Sequence, residues 1–160
     1  ITMVPATDFS PNLLVQNGLL VGRRLSNTLR KDIEFGWRLA KAIGAQDIGQ
    51  SVAVKGRAVL AVEAVEGTDE CIRRAGSLCP SGGFSVVKVA KPQQDMRFDV
   101  PTIGPGTVET LAKAGGRVLA VESEKTIVID QQQVVDLADR HNITVVATHR
   151  QQIEDRLDAA

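Results

Sequence analysis

The sequence predicts an α/β fold of three-layer type, a mixed β-sheet with hairpins and about four helices packed on it. Three observations point there. Six or seven short apolar segments of strand length are interleaved with four stretches of helical periodicity. Two pairs of those segments are separated only by short turns, Lys55–Arg57 and Glu122–Lys125, so each pair reads as an antiparallel hairpin. Phe84–Val89 is apolar at nearly every position outside Ser85 and Lys88, as expected of a strand covered on both faces.

Residues 1–27 hold several breakers (Pro5, Pro11, Gly18, Gly22) and little periodicity. They read as an N-terminal connector, with Leu13-Leu14 as a short helix and Leu19-Leu20 as a strand. Its apolar content predicts that this stretch packs on something, a partner chain included. Residues 28–160 read as the folded domain. Thr28–Ile43 is the clearest helix, with Leu29, Ile33, Trp37, Ala40 and the aliphatic stem of Lys41 on one stripe and Gly44 as its stop. Gly36 inside it costs roughly 1 kcal/mol against Ala, which predicts a close packing contact. Trp37 reads as a core anchor.

Asp47–Gln50 is then a loop and Ser51–Lys55 a strand, turning into Ala58–Glu63. A helix over Thr68–Ala75 ends at Gly76, and Ser77–Gly83 is a flexible connection. Gly104–Thr107 opens a helix carrying Val108, Leu111 and Ala112, which Gly115-Gly116 ends. Val118–Val121 and Thr126–Ile129 make the second hairpin. Asp130 with Gln133 reads as a capping box for a helix reaching Arg140, with His141 at its C-terminus. Ile143–Ala147 is the last strand, and Thr148–Ala160 a polar, helix-prone tail.

Composition narrows the function. A chain of 160 residues suits one domain, and 43% hydrophobic with 24% charged residues is that of a soluble globular protein. With 3% aromatic residues and no tyrosine, the core must be built from Val, Leu, Ile and Ala. Zero formal net charge and a pI near 6.9 argue against nonspecific nucleic-acid binding, which needs a basic surface. No apolar run approaches the ~20 residues of a membrane span, and Ile1 opens the chain with neither a basic leader nor an initiator Met, as in a piece of a longer protein. Cys71 and Cys79 form no C-x-x-C pair, so Cys71 reads as a small buried thiol; His141 and His149 lack further zinc ligands.

The chemistry gathers in Val59–Arg74 and Lys88–Pro105. Each strand there runs into a Gly- or Pro-marked turn that carries acids, and the second turn carries bases as well. Such loops are where binding and catalytic groups concentrate. Five acids (Glu63, Glu66, Asp69, Asp95, Asp99) interleaved with Lys88, Lys91 and Arg97 suit a divalent metal and a phosphorylated ligand. The plain alternative is that these are solvated loop residues and that Thr68 or Asp69 merely caps the following helix. The start of the helix at Gly106-Thr107 offers free N–H groups to a phosphate. No P-loop and no H-E-x-x-H motif is present.

At these residues the chain resembles a known family. A-V-E-A-V-E-G-T-D (Ala61–Asp69), I-R-R-A-G (Ile72–Gly76) and V-K-V-A-K-P-x-Q-D-M-R-F-D-V-P-T-I-G-P (Val87–Pro105) look like the LpxI family. D-I-E-F-G-W (Asp32–Trp37) and A-x-D-I-G-Q-S-V (Ala45–Val52) fit the same pattern, and the match covers roughly Arg23 to Ala147. Members of that family are bacterial UDP-2,3-diacylglucosamine pyrophosphatases of lipid A synthesis with an additional N-terminal domain, so the chain resembles their C-terminal half. The segment Ser77–Gly83 is longer than the family pattern leads one to expect.

The resemblance implies metal-dependent hydrolysis of UDP-2,3-diacylglucosamine to UMP and 2,3-diacylglucosamine 1-phosphate (lipid X), with Mg²⁺ or Mn²⁺ as cofactor. Asp99 is the first candidate for the essential acid, then Asp69 and Asp95. Asp99, Asp69, Glu63 and Glu66 are the candidate metal ligands. Lys88, Lys91, Arg97, Thr68 and Thr107 are the candidate substrate contacts. The expected partners are the UDP-diacylglucosamine lipid and a membrane surface, with self-association left open and nucleic acid excluded. The implied location is the cytoplasm, at the periphery of the inner membrane. Two rival readings stand beside this one: a non-catalytic domain that holds nucleotide or lipid without cleaving it, and a different metal-dependent phosphohydrolase using the same acids.

Overall fold

The structure is a computed structural model that describes residues 13–149 and 151–152. Its frame is a six-stranded mixed sheet of strands β1 (Gly18–Val21), β2 (Ser51–Lys55), β3 (Ala58–Val62), β4 (Ser85–Lys88), β6 (Val118–Glu122) and β8 (Thr144–Thr148). Their spatial order is β1-β8-β6-β4-β2-β3. The central β4, β6 and β8 run parallel, and β1 and β2 pair antiparallel on either side of them. Strands β5 (Thr102–Ile103) and β7 (Ile127–Val128) form a separate two-stranded parallel sheet.

The helices cover both faces, because side chains along each central strand alternate between two cores. On one face Val52, Val54, Val87, Val89, Val118 and Ala120 pack against Ile33, Trp37 and Ala40 of helix α1 (Asn27–Ala45). On the other, Ala53, Val86, Leu119, Val121 and Val145 pack against α2 (Thr68–Leu78), α3 (Pro105–Lys113) and α4 (Gln131–Arg140). The expected α/β, three-layer arrangement is therefore the observed one. Val, Leu, Ile and Ala make up most of both cores; Trp37, 3% exposed, anchors the first, and Phe84, Cys71 and Cys79 join the second.

Local signals account for several elements. Ser26 caps α1 by accepting from the Leu29 N–H at 3.3 Å. A Cβ on Gly36 would come within 2.8 Å of Val87, which is the close contact the helical glycine implied. The β2–β3 hairpin turns through Gly56 and Arg57, both at positive φ, as a two-residue primed turn requires. The buried Asp32 of α1 accepts from both turn amides, at 3.0 and 2.7 Å, tying the hairpin to the helix. Asp130 caps α4 by accepting from the Gln133 N–H, and His141 is its C-cap.

Other expectations fail, each for a tertiary reason. The second hairpin does not form: β6 pairs with β4 and β8, while Thr102↔Ile127 and Ile103↔Val128 join β7 to β5. Gly44 does not stop α1, which continues to Ala45; it packs against the Lys91 backbone and the Pro92 ring. Nor does Gly76 end α2: a Cβ there would sit 2.7 Å from the Ala114 carbonyl oxygen, so the glycine serves close helix packing. Ser77–Gly83 is only partly a connection, since α2 takes its first two residues and Lys55 pins the rest through Ser81 and the Gly82 carbonyl. Of the Leu13-Leu14 pair, Leu13 is 3₁₀-helical as a short helix requires, while Leu14 makes a bridge to Ile127. The described part of 1–27 supplies β1 to the main sheet and the buried Val15 to its core. Pro5 and Pro11, and the tail beyond residue 152, lie outside the described residues.

Candidate functional site

The register brings one sheet edge into focus. Ser51 pairs with Lys88, Val52 with Val62, Lys88 with Val121 and Glu122 with Thr148. The carboxyl ends of β3, β4, β6 and β8 therefore lie along a single edge, together with the start of β2. Ligands of open α/β sheets bind outside this edge, where strands hand over to loops and helix N-termini.

Glu63, directly after β3, is the buried acid of this edge, 7% exposed. The Thr68 hydroxyl donates to its Oε1 at 3.1 Å, while its Oε2 is buried without a hydrogen-bond partner. The Lys88 Nζ donates to the Thr68 Oγ1 at 2.9 Å and to the Thr102 carbonyl at 3.0 Å. The Ser51 and Thr68 hydroxyls lie 3.3 Å apart. With the Thr68 proton on Glu63, Ser51 donates to Thr68. Thr68 is thus the hub of a network spanning three strands and a helix, and Gly67, not Thr68, is the N-cap of α2. Gly49 makes this packing possible, since a Cβ there would fall 2.0 Å from the Glu63 carbonyl oxygen.

Lys88 is buried, which lowers its proton affinity below that of an ordinary lysine; Glu63, Asp69 and Asp99 act against that shift. These three acids lie close enough for their charge to act on one ammonium group. Asp69 stands in the first turn of α2, where an acid is favoured by the helix dipole. Lys91 stands at the rim, bonded to Asp47; that bond raises its proton affinity, and Asp99 and Glu63 add to the effect. The Lys88–Thr102 bond also brings β5 to this group, and β5 leads straight into α3, whose first turn holds Thr107.

Three expected members are drawn elsewhere. Glu66 turns back onto the Ala64 N–H and onto Arg74, away from Lys88; its own backbone amide and Arg74 hold its carboxyl below the usual range. Asp95 and Arg97 pair with each other at 2.6 Å, and Arg97 also stacks on the exposed Phe98. Cys71 is buried, and burial pushes its thiol up to about 12.

Among the described residues no three His, Cys, Asp or Glu side chains form a group that could hold a metal ion by themselves. A Mg²⁺ ion on a diphosphate does not need such a cage, because it takes one or two carboxylates and draws its other ligands from phosphates and water. The unpartnered Glu63 Oε2, with Asp69 and Asp99 nearby, suits that smaller requirement.

Ser51, Gly49, Asp47, Lys41 and Glu122 were not among the residues singled out by sequence. Glu122 carried a signal, since it ends an apolar strand as Lys88 does and Glu63 follows one. Lys41 carried none, because its stem fitted the apolar stripe of α1. A groove of about 430 Å³, lined by Leu19, Leu25, Ile33 and Val146, runs along the β1–β8 side of the α1 face, apart from these acids.

Residues 16–146 match the family model described as the LpxI C-terminal domain. Over 128 residues the chain is 36% identical to a protein of Caulobacter vibrioides named UDP-2,3-diacylglucosamine pyrophosphatase LpxI. That match takes in 76% of this chain and 46% of the relative, so the chain spans less than half of the protein it resembles.

Proposed function

The chain belongs to the LpxI family through its C-terminal domain, and from that premise we propose that the full-length protein hydrolyses the diphosphate of UDP-2,3-diacylglucosamine. Water adds across the P–O–P linkage, yielding UMP and lipid X, a step of lipid A synthesis. The reading carries a cytoplasmic location at the inner-membrane surface. No helix among the described residues is long and apolar enough to cross a membrane.

The observation that supports this best is the bonded group Glu63–Thr68–Lys88 at the carboxyl edge of the sheet, with the Glu63 Oε2 left unpartnered among the described residues. Diphosphate cleavage requires charge on the phosphate oxygens to be neutralised and a water to be deprotonated. Lys88 and Lys91 supply positive charge, and the Thr107 hydroxyl in the first turn of α3 adds a donor for an anion. Asp99 bears the role of base for the attacking water, being exposed and free of the internal pairing that occupies Asp95. A Mg²⁺ or Mn²⁺ ion, held by Glu63 with Asp69 or Asp99 and by the phosphates, would neutralise diphosphate charge. Val65 and Phe98, both exposed on loops of this edge, offer apolar surface to the acylated half of the substrate.

The test is UMP release by the full-length protein, with Mg²⁺ and with EDTA. Asp99→Ala is expected to lose ~10²-fold or more in turnover with little change in affinity, as for a group acting in the transition state. Lys91→Ala should weaken substrate binding instead. Near-normal turnover in Asp99→Ala would move the base to Asp69. Normal turnover in every acidic variant would favour a domain that binds the UDP-lipid without cleaving it.

A further inference from the structure

A second charged group stands on the same sheet edge, and none of it touches Lys88 or Thr68 through a hydrogen bond. Glu122, the last residue of β6, is 7% exposed. The Lys41 Nζ of α1 donates to both of its oxygens, at 2.8 and 2.6 Å. The two side chains then close on a single backbone position. The Ala90 N–H donates to the Glu122 Oε2 at 2.7 Å, and the Lys41 Nζ donates to the Ala90 carbonyl at 2.9 Å. Lys41 also lies over the Trp37 ring, 5.5 Å from its centroid, so its position is set by the core of α1.

We propose that Lys41 and Glu122 are positioning residues for diphosphate hydrolysis: they clamp the Ala90 backbone and thereby set where the following loop carries Lys91 and Asp99 relative to Glu63 and Lys88. The inference rests on the reading of function given above. Ala90 is the hinge point of this arrangement. Lys88, two residues before it, is fixed in β4. Asp99 lies nine residues after it, in a segment whose bonds, apart from that of Lys91 to the exposed Asp47, are short-range: Lys91 with Gln94, Asp95 with Arg97, and the Asp99 N–H with the Asp95 carbonyl. Such bonds shape the loop internally but do not orient it on the sheet. Val89 N–H to the Gln50 carbonyl secures the strand end, and the packing of Gly44 on Lys91 and Pro92 gives contact without direction. A charged pair that engages both the N–H and the C=O of one residue holds the two peptide planes that flank Ala90, and so fixes the direction of the chain there as well as its place. Because charge-assisted bonds are the strong class, that orientation is stiff.

The experiment compares the wild-type full-length protein with Glu122→Gln, Lys41→Gln and the conservative Lys41→Arg. It reads UMP release (kcat and KM separately) and amide hydrogen exchange. Both Gln variants are expected to lose on the order of 10- to 100-fold in kcat, since small misplacements of a reacting group cost that much. KM should change less than kcat, and Lys41→Arg should recover much of the loss. Exchange should rise at Ala90 and through residues 91–99 while β6 and β8 stay protected. Unchanged exchange at those amides in both Gln variants would overturn the clamp. Raised exchange with wild-type kcat would overturn the positioning role. If one Gln variant does not fold, the other decides. Should wild-type protein release no UMP, the functional reading fails, and the exchange measurement still decides the clamp by the same criterion.

Discussion

At the residue scale, what separates the candidate acids is their partners. Glu63 has one oxygen bonded and one buried and unpartnered, a state that costs free energy unless something charged or polar eventually meets it. Asp95 has its partner already, and the Arg97 guanidinium beside it lowers its carboxyl to about 2. A carboxyl lowered in this way adds stability above its unfolded value of ~3.9 and loses it as pH falls through the folded value. Because the pair is fully exposed, its influence belongs to loop shape and not to global stability. An NMR titration of the Asp95 carboxyl should therefore give a midpoint of about 2 in the wild-type protein. In Arg97→Ala it should return toward ~3.9. An unmoved midpoint in the variant would mean that the pair does not persist in solution.

At the scale of elements, the site is built where α1, the β2 start and the β3 end crowd together. Gly49 is the tightest point, since the Glu63 carbonyl occupies the place a side chain would take. Gly49→Ala is expected to destabilise the domain by about 1–3 kcal/mol, the usual cost of forcing extra volume into packed structure. It should also displace Glu63, so UMP release should fall further than lost stability alone explains. Chemical denaturation alongside the activity assay checks both parts, and an Ala variant with wild-type stability and turnover would contradict this packing. The same crowding explains why sequence reading misplaced the ends of α1 and α2. Gly44 and Gly76 look like stops, yet α1 runs one residue past the first, and the second is small because the Ala114 backbone passes it.

At the scale of the whole molecule, a ligand that binds only the folded state raises its stability in proportion to occupancy. If Glu63, Asp69 and Asp99 take up a divalent ion, Mg²⁺ or Mn²⁺ should raise the thermal midpoint above that in EDTA. The rise should be smaller in Asp99→Ala. Equal shifts in the two proteins, or none in either, would remove these acids from the metal assignment. The separation of the two cores by the sheet makes this a fair probe, since Asp99 lies in an exposed loop outside both of them.

The sequence by itself determined the α/β class, the apolar strands, the four helices, the β2–β3 hairpin and the family. Each of these is written in short-range periodicity, turn chemistry or contiguous motif. It also placed Glu63, Thr68 and Lys88 at strand ends and turns, and the structure joins these three through the Thr68 hydroxyl. Only the tertiary structure decided that β7 pairs with β5, that Glu66 and Asp95 turn to Arg74 and Arg97, and that Lys41 reaches Glu122 across the sheet edge. The physical reason is the same in each case. Strand partners and charge partners are chosen by which chain segments fold into reach, and Lys41 and Glu122, 81 residues apart, leave no local pattern that records their meeting.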